Sequence, residues 1–356
     1  MEVRLSGGDD RNLMERLLEK QIPLSNSCNG KGTCGKCKVR VVSGTITDVT
    51  DTERRLLTEK EVAGHMRLAC MTKARGEVVI ETGEGEEDHV FTTGGVEGHF
   101  ERDADKHGYG LAVDIGTTTV VATLVNMDDG TEGPTYAQIN PQKTYGLDVL
   151  TRITYETEYK EKAITQLQEA IVHGLNEAIK GICAEAGIDV TQIGEIDIAA
   201  NCTMLHMLAG VDARPIGRAP YKPAFTDGQK LKARDLGLMG AAGAMVYLLP
   251  SVSAYIGADI VAGVYVCDLR QSPGKTLFID IGTNGERVLE AGSKMYSCSC
   301  AAGPALEGMN ITSGMRAAKG AVEDVHIGPD GIRLDVIGKG KPHGLCGSGI
   351  LAVVRE

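Results

Sequence analysis

The first informative absences concern aromatic residues, apolar runs and positive charge. Tryptophan is missing and aromatic residues make up 4% of the 356 residues, so the cores must be built from aliphatic side chains. No stretch approaches the roughly 18 consecutive apolar residues of a membrane-spanning helix, so no membrane span is expected. The net charge of −11 argues against the extended basic face that nucleic-acid binding requires.

Three short signatures are also missing. No Walker sequence G-x4-G-K-[ST] occurs, and no G-x-G-x-x-G follows the first strand of the region after residue 108. The N-terminal stretch MEVRLSGGDDRNL lacks the apolar centre of a secretory leader, which predicts a cytoplasmic protein whose thiols stay reduced. Ten cysteines in that setting indicate metal ligands or buried positions before they indicate disulfides.

A cysteine-rich loop is the strongest feature of the N-terminal region. The stretch SCNGKGTCGKCKVRV covers residues 27–41, and a fourth cysteine follows much later. Four thiolates can complete a [2Fe–2S] cluster, with two on each iron, and the loop glycines let the backbone approach the cluster sulfurs. The predicted ligands are Cys28, Cys34, Cys37 and Cys70.

A structural zinc site is the alternative for these cysteines, since zinc also accepts four thiolates. Zinc sites usually combine two C-x2-C pairs, whereas Cys70 stands alone and the first loop is long and rich in glycine. The spacing therefore favours the iron–sulfur cluster and leaves the zinc site as the weaker hypothesis.

An internal duplication organises the rest of the chain. The run YGLAVDIGTTTVVATLVN begins at Tyr109, and KTLFIDIGTNGERVLEAG begins at Lys275 with the same strand–turn–strand design. Long helical and strand-like segments lie between the two copies, which predicts α/β domains.

The duplicated turns suit a phosphate ligand, because a tight turn presents backbone N–H groups and hydroxyls to phosphate oxygens. The two strand-end aspartates could orient Mg²⁺, which prefers a few carboxylates together with phosphate oxygens. Asp114, Asp280 and Glu286 are the catalytic candidates, Glu286 as the residue that orients water. The phosphate-binding candidates are Gly116, Thr117, Thr118 and Thr119 in the first turn, Gly282, Thr283, Asn284 and Gly285 in the second, and Gly347 and Ser348 in a third glycine turn.

Two resemblances follow from these motifs. Residues 1–85 resemble ferredoxins of the plant and adrenodoxin type, and the five-residue spacing between Cys28 and Cys34 is similar to that of the adrenodoxin-like subgroup. From about Tyr109 the chain resembles the superfamily of acetate and sugar kinases, Hsp70 and actin, whose two phosphate motifs DIGTTT and DIGTNGE match. That superfamily clamps ATP and Mg²⁺ between its duplicated halves.

The combination of both parts resembles the reductive activators of corrinoid proteins, as do the stretches at 140–153, 201–210 and 255–264. The expected fold class is multidomain α+β and α/β: a β-grasp ferredoxin domain followed by a duplicated RNase H-like ATPase fold that is truncated at the C-terminus. The expected division is a ferredoxin-like domain at 1–85, a linker at 86–108, a first ATPase-like part at 109–215 and a second, incomplete part at 216–356.

The resemblance implies ATP-dependent, one-electron reduction of a partner's cob(II)amide to cob(I)amide through a [2Fe–2S] cluster. It further implies a low-potential electron donor and allows a homodimer. No Gly-Gly adenosine motif follows residues 344–350, so we expect adenine to be held less firmly. A small-molecule kinase with an attached ferredoxin module and a non-catalytic electron shuttle are the alternatives.

Several other polar residues are interpreted as ordinary structural positions. Arg152 is expected to be a surface charge and His206 a core or capping residue. Asp9 or Asp10 is expected to cap the first helix, and residues 38–42 and 45–49 are expected to form two strands around Ser43-Gly44. The expected core cysteines are Cys183, Cys202 and Cys267.

Overall fold

The computed structural model describes most of the chain in two compact units. The first unit runs from Met1 to Glu87 with a short piece at 143–147, and the second holds the remaining residues. The described residues are 2–20, 22, 24, 30, 32, 35–82, 103–271, 274–282, 284–292, 294–301, 313–315, 317, 319–329 and 331–356. Most of the predicted linker at 86–108 therefore lies outside the described residues.

The described residues of the first unit form a small antiparallel sheet with three short helices. The sheet has the order β1-β4-β2-β3, and its core is aliphatic, with Leu13, Leu17 and Ile80 fully buried. The elements are β1 (Glu2–Leu5), α1 (Leu13–Glu19), β2 (Lys38–Ile46), α2 (Asp51–Leu56), α3 (Glu59–Ala63), β3 (Met66–Leu68) and β4 (Ala74–Thr82).

Each helix of this unit begins with a capping box, in which the cap side chain accepts from the third helical N–H and a glutamate bonds back. The cap of α1 is Asn12, which pairs with Glu15. The sequence pattern had indicated Asp9 or Asp10 for this position, and that expectation is wrong. Asp9 is bonded instead to Arg11 and Arg16.

The second unit begins with a six-stranded sheet. Its order is β7-β6-β5-β8-β10-β9, where β5, β8 and β10 run parallel and the other neighbours pair antiparallel. The elements up to this point are β5 (Tyr109–Ile115), β6 (Thr119–Asn126), β7 (Glu132–Ile139), α4 (Val149–Tyr159), α5 (Glu161–Ala186), β8 (Ile193–Ala200), α6 (Cys202–Ala209), β9 (Gln229–Lys232), α7 (Ala233–Leu236) and β10 (Met245–Leu248). The boundary expected between residues 215 and 216 lies in the segment between α6 and β9, so it would divide the strands of this one sheet.

A buried aliphatic layer covers one face of the six-stranded sheet. Long helix α5 contributes Leu167, Ile171 and Leu175, all at most 2% exposed, at the helical spacing of four residues. Helices α4 and α6 pack beside α5. The layer packs on β6 and β7 through α5 and on β8 through α6.

Two further sheets of three strands follow, and the first repeats the start of the six-stranded sheet. Strands β11, β12 and β13 pair antiparallel in sequence order, as β5, β6 and β7 do. The second sheet has the order β15-β14-β16. The elements are α8 (Ala258–Val266), β11 (Lys275–Ile281), β12 (Asn284–Ala291), β13 (Lys294–Ala301), β14 (Ala321–Gly328), β15 (Gly331–Val336), β16 (Gly344–Leu345) and α9 (Gly347–Arg355).

None of the helices formed by the described residues has the length and apolar character needed to cross a bilayer.

Candidate functional site

The first unit brings two of the predicted cluster cysteines together. The Sγ atoms of Cys37 and Cys70 lie 3.3 Å apart, and both residues are at most 5% exposed. A disulfide would place them about 2.05 Å apart, so the pair is poised to share a metal or cluster. Cys28 and Cys34 lie outside the described residues.

The backbone around these sulfurs has the form that a cluster-binding loop needs. Gly30, Gly32 and Gly35 adopt positive φ angles of 77°, 70° and 66°, a region that residues with a side chain rarely occupy. Because a loop built in this way can turn its N–H groups inward, the described part of the loop fits a [2Fe–2S] cluster.

A buried ion pair braces the segment that carries Cys70. Arg67 donates through Nε and Nη2 to the two carboxylate oxygens of Glu53, each at 2.9 Å. Glu53 Oε1 also accepts from the Leu68 N–H at 3.0 Å and from Thr72 Oγ1 at 3.1 Å. Burial alone would raise the pKa of Glu53, but these hydrogen bonds outweigh it and hold the pKa at about 2.

The first glycine turn joins β5 to β6, and buried side chains donate hydrogen bonds to its carbonyls from the protein interior. Asn140 Nδ2 donates to the Gly116 carbonyl at 2.8 Å, and the Asn140 N–H donates to the Thr118 carbonyl at 2.8 Å. Arg152 Nη2 donates to the Thr117 carbonyl at 2.5 Å. Three successive carbonyls therefore have partners in the protein interior.

The opposite side of the first turn offers donors. Within the described part of the chain, no acceptor bonds the backbone N–H of Thr117 or Thr118. The Thr117 hydroxyl is held at 3.0 Å by Nδ2 of Asn201, the residue that caps α6. Backbone N–H groups without a protein acceptor can donate hydrogen bonds to an anion at this turn, and the sequence predicted a phosphate there.

Asp114 and Asp280 come from opposite copies of the repeat and are close enough for their charges to interact. Asp114 is exposed to solvent at the end of β5, although neighbouring protein atoms partly desolvate its carboxyl. Burial raises its pKa to about 6, and the charges of Asp259 and Asp280 act in the same direction. Burial likewise raises the pKa of Asp280. The structure thus brings together two residues that stand 166 positions apart in the sequence.

Glu286 belongs to the same acidic group. It lies on β12, directly opposite Asp280 of β11, and its Oε1 accepts from the Ser299 hydroxyl at 2.9 Å. Burial raises the pKa of Glu286, the bond from Ser299 opposes this, and the charges of Asp259 and Asp280 raise it further. Several carboxyls with raised pKa values in one place are typical of a cation or catalytic site.

Asp259 is the member of this group that sequence reasoning missed. It lies in the first turn of α8, where its Oδ1 accepts from the Ile260 N–H at 2.8 Å. The preceding Gly257 packs so closely that a Cβ there would lie 2.5 Å from Asn201 Cα. The sequence Gly257-Ala-Asp259 at the start of an apolar helix could have indicated this residue. That stretch was used only as evidence of the family resemblance.

The other predicted phosphate ligands occupy less enclosed positions. Gly282, Asn284 and Gly285 form the second turn, closed by a bond of 2.9 Å from the Gly282 N–H to the Asn284 carbonyl. Thr283 lies outside the described residues. Gly347 and Ser348 open α9, which packs on β14. In the described residues, no bond links Gly347 or Ser348 to the acidic group.

Five expectations about ordinary positions were tested by the structure, and the burial of Cys183 and Cys202 is confirmed. His206 is fully buried, as predicted: Nδ1 donates to the Cys202 carbonyl at 2.7 Å, and Nε2 accepts from the Ala224 N–H at 3.0 Å. Cys267 is exposed, so its assignment to the core is wrong. Arg152 is fully buried, so its assignment to the surface is also wrong.

Comparison with known protein families assigns all three regions. A family profile described as "RACo middle region" matches residues 109–272. A second, described as the C-terminal domain of RACo, the ASKHA domain, matches residues 274–356. A profile of 2Fe-2S iron-sulfur cluster binding domains matches residues 2–75. These assignments confirm the expected fold class.

Individual relatives agree with the profiles. The chain is 36% identical to "Corrinoid activation enzyme RamQ" of Eubacterium limosum over 250 residues, which are 70% of this chain and 42% of that protein. It is 26% identical over 226 residues to "[Co(II) methylated amine-specific corrinoid protein] reductase" of Methanosarcina barkeri, with coverages of 61% and 40%. The chain therefore spans about two fifths of the length of these curated relatives.

A solved structure is similar over nearly the whole chain. The protein titled "Reductive activator for corrinoid,iron-sulfur protein" matches 98% of this chain and 70% of its own, with a TM-score of 0.64 and 29% identity.

Proposed function

We propose, from the premise that the chain belongs to the family of reductive activators of corrinoid proteins, that it is an enzyme which restores an inactive corrinoid protein. In the proposed reaction, ATP drives the transfer of one electron to the cob(II)amide of a partner, which becomes cob(I)amide. A low-potential electron carrier supplies that electron.

The observation that carries the ATP dependence is the convergence of Asp114 and Asp280. Each aspartate is the penultimate residue of its strand, β5 or β11, and the charge of Asp280 raises the pKa of Asp114. Carboxylates placed in this way beside a turn with unbonded N–H groups suit a phosphate chain with its magnesium ion.

The cysteines would hold the cluster, with Cys37 and Cys70 as the described pair and Cys28 and Cys34 completing the set. When bound, a [2Fe–2S] cluster supplies one-electron transfer. The ion pair of Glu53 with Arg67 fixes the Leu68–Thr72 segment and so keeps the Cys70 sulfur 3.3 Å from that of Cys37. Burial of both sulfurs keeps water away from them.

In the second unit, we assign the N–H groups of Thr117 and Thr118 to the phosphates of MgATP, together with the predicted phosphate-binding residues of the second turn, Thr283, Asn284 and Gly285. Asp114, Asp259 and Asp280 are proposed to position its metal through water. Glu286 is proposed to orient the attacking water. The Ser299 hydroxyl fixes one carboxylate oxygen of Glu286, and the other oxygen would accept a hydrogen bond from the water.

ATP is needed for energetic reasons. Plant-type clusters have potentials near roughly −400 mV, and the cobalt couple of a corrinoid protein is expected to lie lower. Each 59 mV of uphill transfer costs about 1.4 kcal/mol. MgATP can offset this cost only if it favours the state that binds the corrinoid partner. Cytoplasmic location and a homodimer stay predictions.

The test follows the cobalt by electron paramagnetic resonance. Reduced protein is mixed with a corrinoid protein in the Co(II) form, with and without MgATP. We expect the Co(II) signal to disappear only with MgATP, and Cys70→Ser to abolish the loss. Cys183→Ala, at a buried cysteine of the second unit, is the matched control and should behave as wild type.

Other outcomes would select the alternatives. A colourless protein containing zinc would refute electron transfer. A brown protein whose ATPase ignores corrinoid proteins but responds to a sugar or an acid would identify a small-molecule kinase. Electron transfer that is indifferent to MgATP would identify a simple shuttle.

A further inference from the structure

Arg152 is a completely buried cation directly behind the first glycine turn. It projects from α4, and its Nη2 donates to the Thr117 carbonyl at 2.5 Å. Its Nη1 donates to Gln142 Oε1 at 3.2 Å and contacts Met204 Sδ at 3.0 Å. Removing a guanidinium from water is expensive, so its position beneath this turn requires a gain elsewhere.

The guanidinium stays charged in this environment. Burial lowers the pKa of Arg152 to about 9, and the charge of Asp148 partly opposes this. The group is therefore a cation at neutral pH, fixed behind a turn whose outer face carries the N–H groups of Thr117 and Thr118.

The bond to Thr117 has a directional consequence. A peptide carbonyl and the next N–H point to opposite sides of the peptide plane. Arg152 holds the Thr117 carbonyl toward the protein interior. The N–H of the same peptide, which belongs to Thr118, therefore points outward. Asn140 does the same for the neighbouring peptides by bonding the carbonyls of Gly116 and Thr118.

We propose that Arg152 is the positioning residue of the first phosphate turn: its guanidinium sets the outward direction of the turn's N–H groups, and its charge favours an anion over them. The anion is a phosphate of MgATP if the proposed function holds, and this part of the inference rests on it. The orientation of the turn does not depend on that function.

The test uses the full chain and two variants at the site, Arg152→Lys and Arg152→Ala. Glu156→Gln is the matched control, because Glu156 is also fully buried on α4, one turn further along, and bonds the Ala213 N–H rather than the phosphate turn. Two quantities are measured: the affinity for MgATP by calorimetry, and hydrogen exchange of the Asn140 amide, which donates to the Thr118 carbonyl, without nucleotide.

We expect Arg152→Ala to weaken MgATP binding by about thirtyfold, the size expected when a charged hydrogen-bond donor is lost. Arg152→Lys should recover only part of this, since an ammonium lacks the planar fork. Exchange of the Asn140 amide should rise in Arg152→Ala and stay unchanged in Glu156→Gln.

Chemical rescue separates positioning from mere support of the fold. Millimolar guanidinium should restore much of the MgATP affinity of Arg152→Ala, while urea, a neutral molecule of similar shape, should not. Equal rescue by urea would overturn the role of the charge. Unchanged Asn140 exchange in Arg152→Ala would overturn the positioning role.

The two hypotheses fail in different ways. If the wild type binds no MgATP but Arg152→Ala still raises exchange at Asn140, the proposed function fails and the positioning role stands. If the wild type binds MgATP and Arg152→Ala binds it equally well, the function stands and the inference is wrong.

Discussion

The two copies of the Asp-Ile-Gly-Thr turn share a sequence but have different surroundings. The first is supported by buried side chains of Asn140 and Arg152 and by a covered sheet. The second ends a strand whose apolar residues Leu277, Ile279 and Ile281 are 53%, 49% and 74% exposed. A motif thus specifies a strand and a turn locally, whereas the rigidity of the turn comes from the layer packed behind it.

The largest expected effect tests whether both copies serve one site. Asp114→Asn and Asp280→Asn should each lower the ATPase rate by about a hundredfold, because each removes a carboxylate that would position the metal. The measurement is ATP hydrolysis with and without a corrinoid protein. Asp227→Asn, in the loop before β9, is the control. A large loss from one aspartate alone would show that the copies do not act together.

The second prediction compares the supports of the two turns. Asn140→Ala should lower the free energy of unfolding by about 2–4 kcal/mol, because it leaves the buried Gly116 carbonyl and the Gln142 N–H without partners. Ser299→Ala, which removes the bond to the half-buried Glu286, should cost about 1 kcal/mol. Urea unfolding measures both. Equal costs would show that the turns are equally supported.

The sequence was sufficient to predict the features that depend on local, repeated patterns. The duplication, the strands flanking each turn and the candidate aspartates follow from runs of apolar residues that end in Asp-Ile-Gly-Thr. The cap of α1 was also within reach, since Asn12 and Glu15 form the N-x-x-E pattern of a capping box, which was overlooked in favour of two nearby aspartates.

What the sequence could not supply is the set of partners from distant elements. Arg152 lies in an ordinary amphipathic helix, so its pattern fits a solvated charge; only the packing of α4 against the first turn buries it. Asp259 joins the acidic group because α8 packs on β8, a contact with no local signature. Likewise, residues 38–49 were expected to form two strands around Gly44, whereas β2 continues through it with irregular register.

The third prediction concerns pH and the helix behind the first turn. Burial raises the pKa of Glu156 on α4 to about 7, so between its ordinary value and pH 7 the folded state holds a proton that the unfolded state releases. Stability from this group is therefore greatest in acid and falls as pH rises through about 7. Across that range the wild type should lose about 2 kcal/mol relative to Glu156→Gln.

Urea unfolding from pH 5 to pH 8 on both proteins gives the difference directly. A pH dependence that is identical in the two proteins would show that Glu156 is ionised in the fold throughout. No comparable shift is expected from Ser299→Ala, because its partner Glu286 is only half-buried, at the second turn.

The smallest expected change, that of Ile279→Thr, belongs to a comparison of the two sheets. Ile198 on β8 is fully buried under the helical layer, whereas Ile279 on β11 is 49% exposed. Ile198→Thr should destabilise the chain by about 2–3 kcal/mol through lost burial and an added hydroxyl, while Ile279→Thr should change stability by less than about 0.5 kcal/mol. The two substitutions make the same chemical change on a β-strand, so their difference reports mainly on the covering layer. A cost for Ile279→Thr close to that of Ile198→Thr would mean that β11 is covered in solution, and the contrast between the two turns would then disappear.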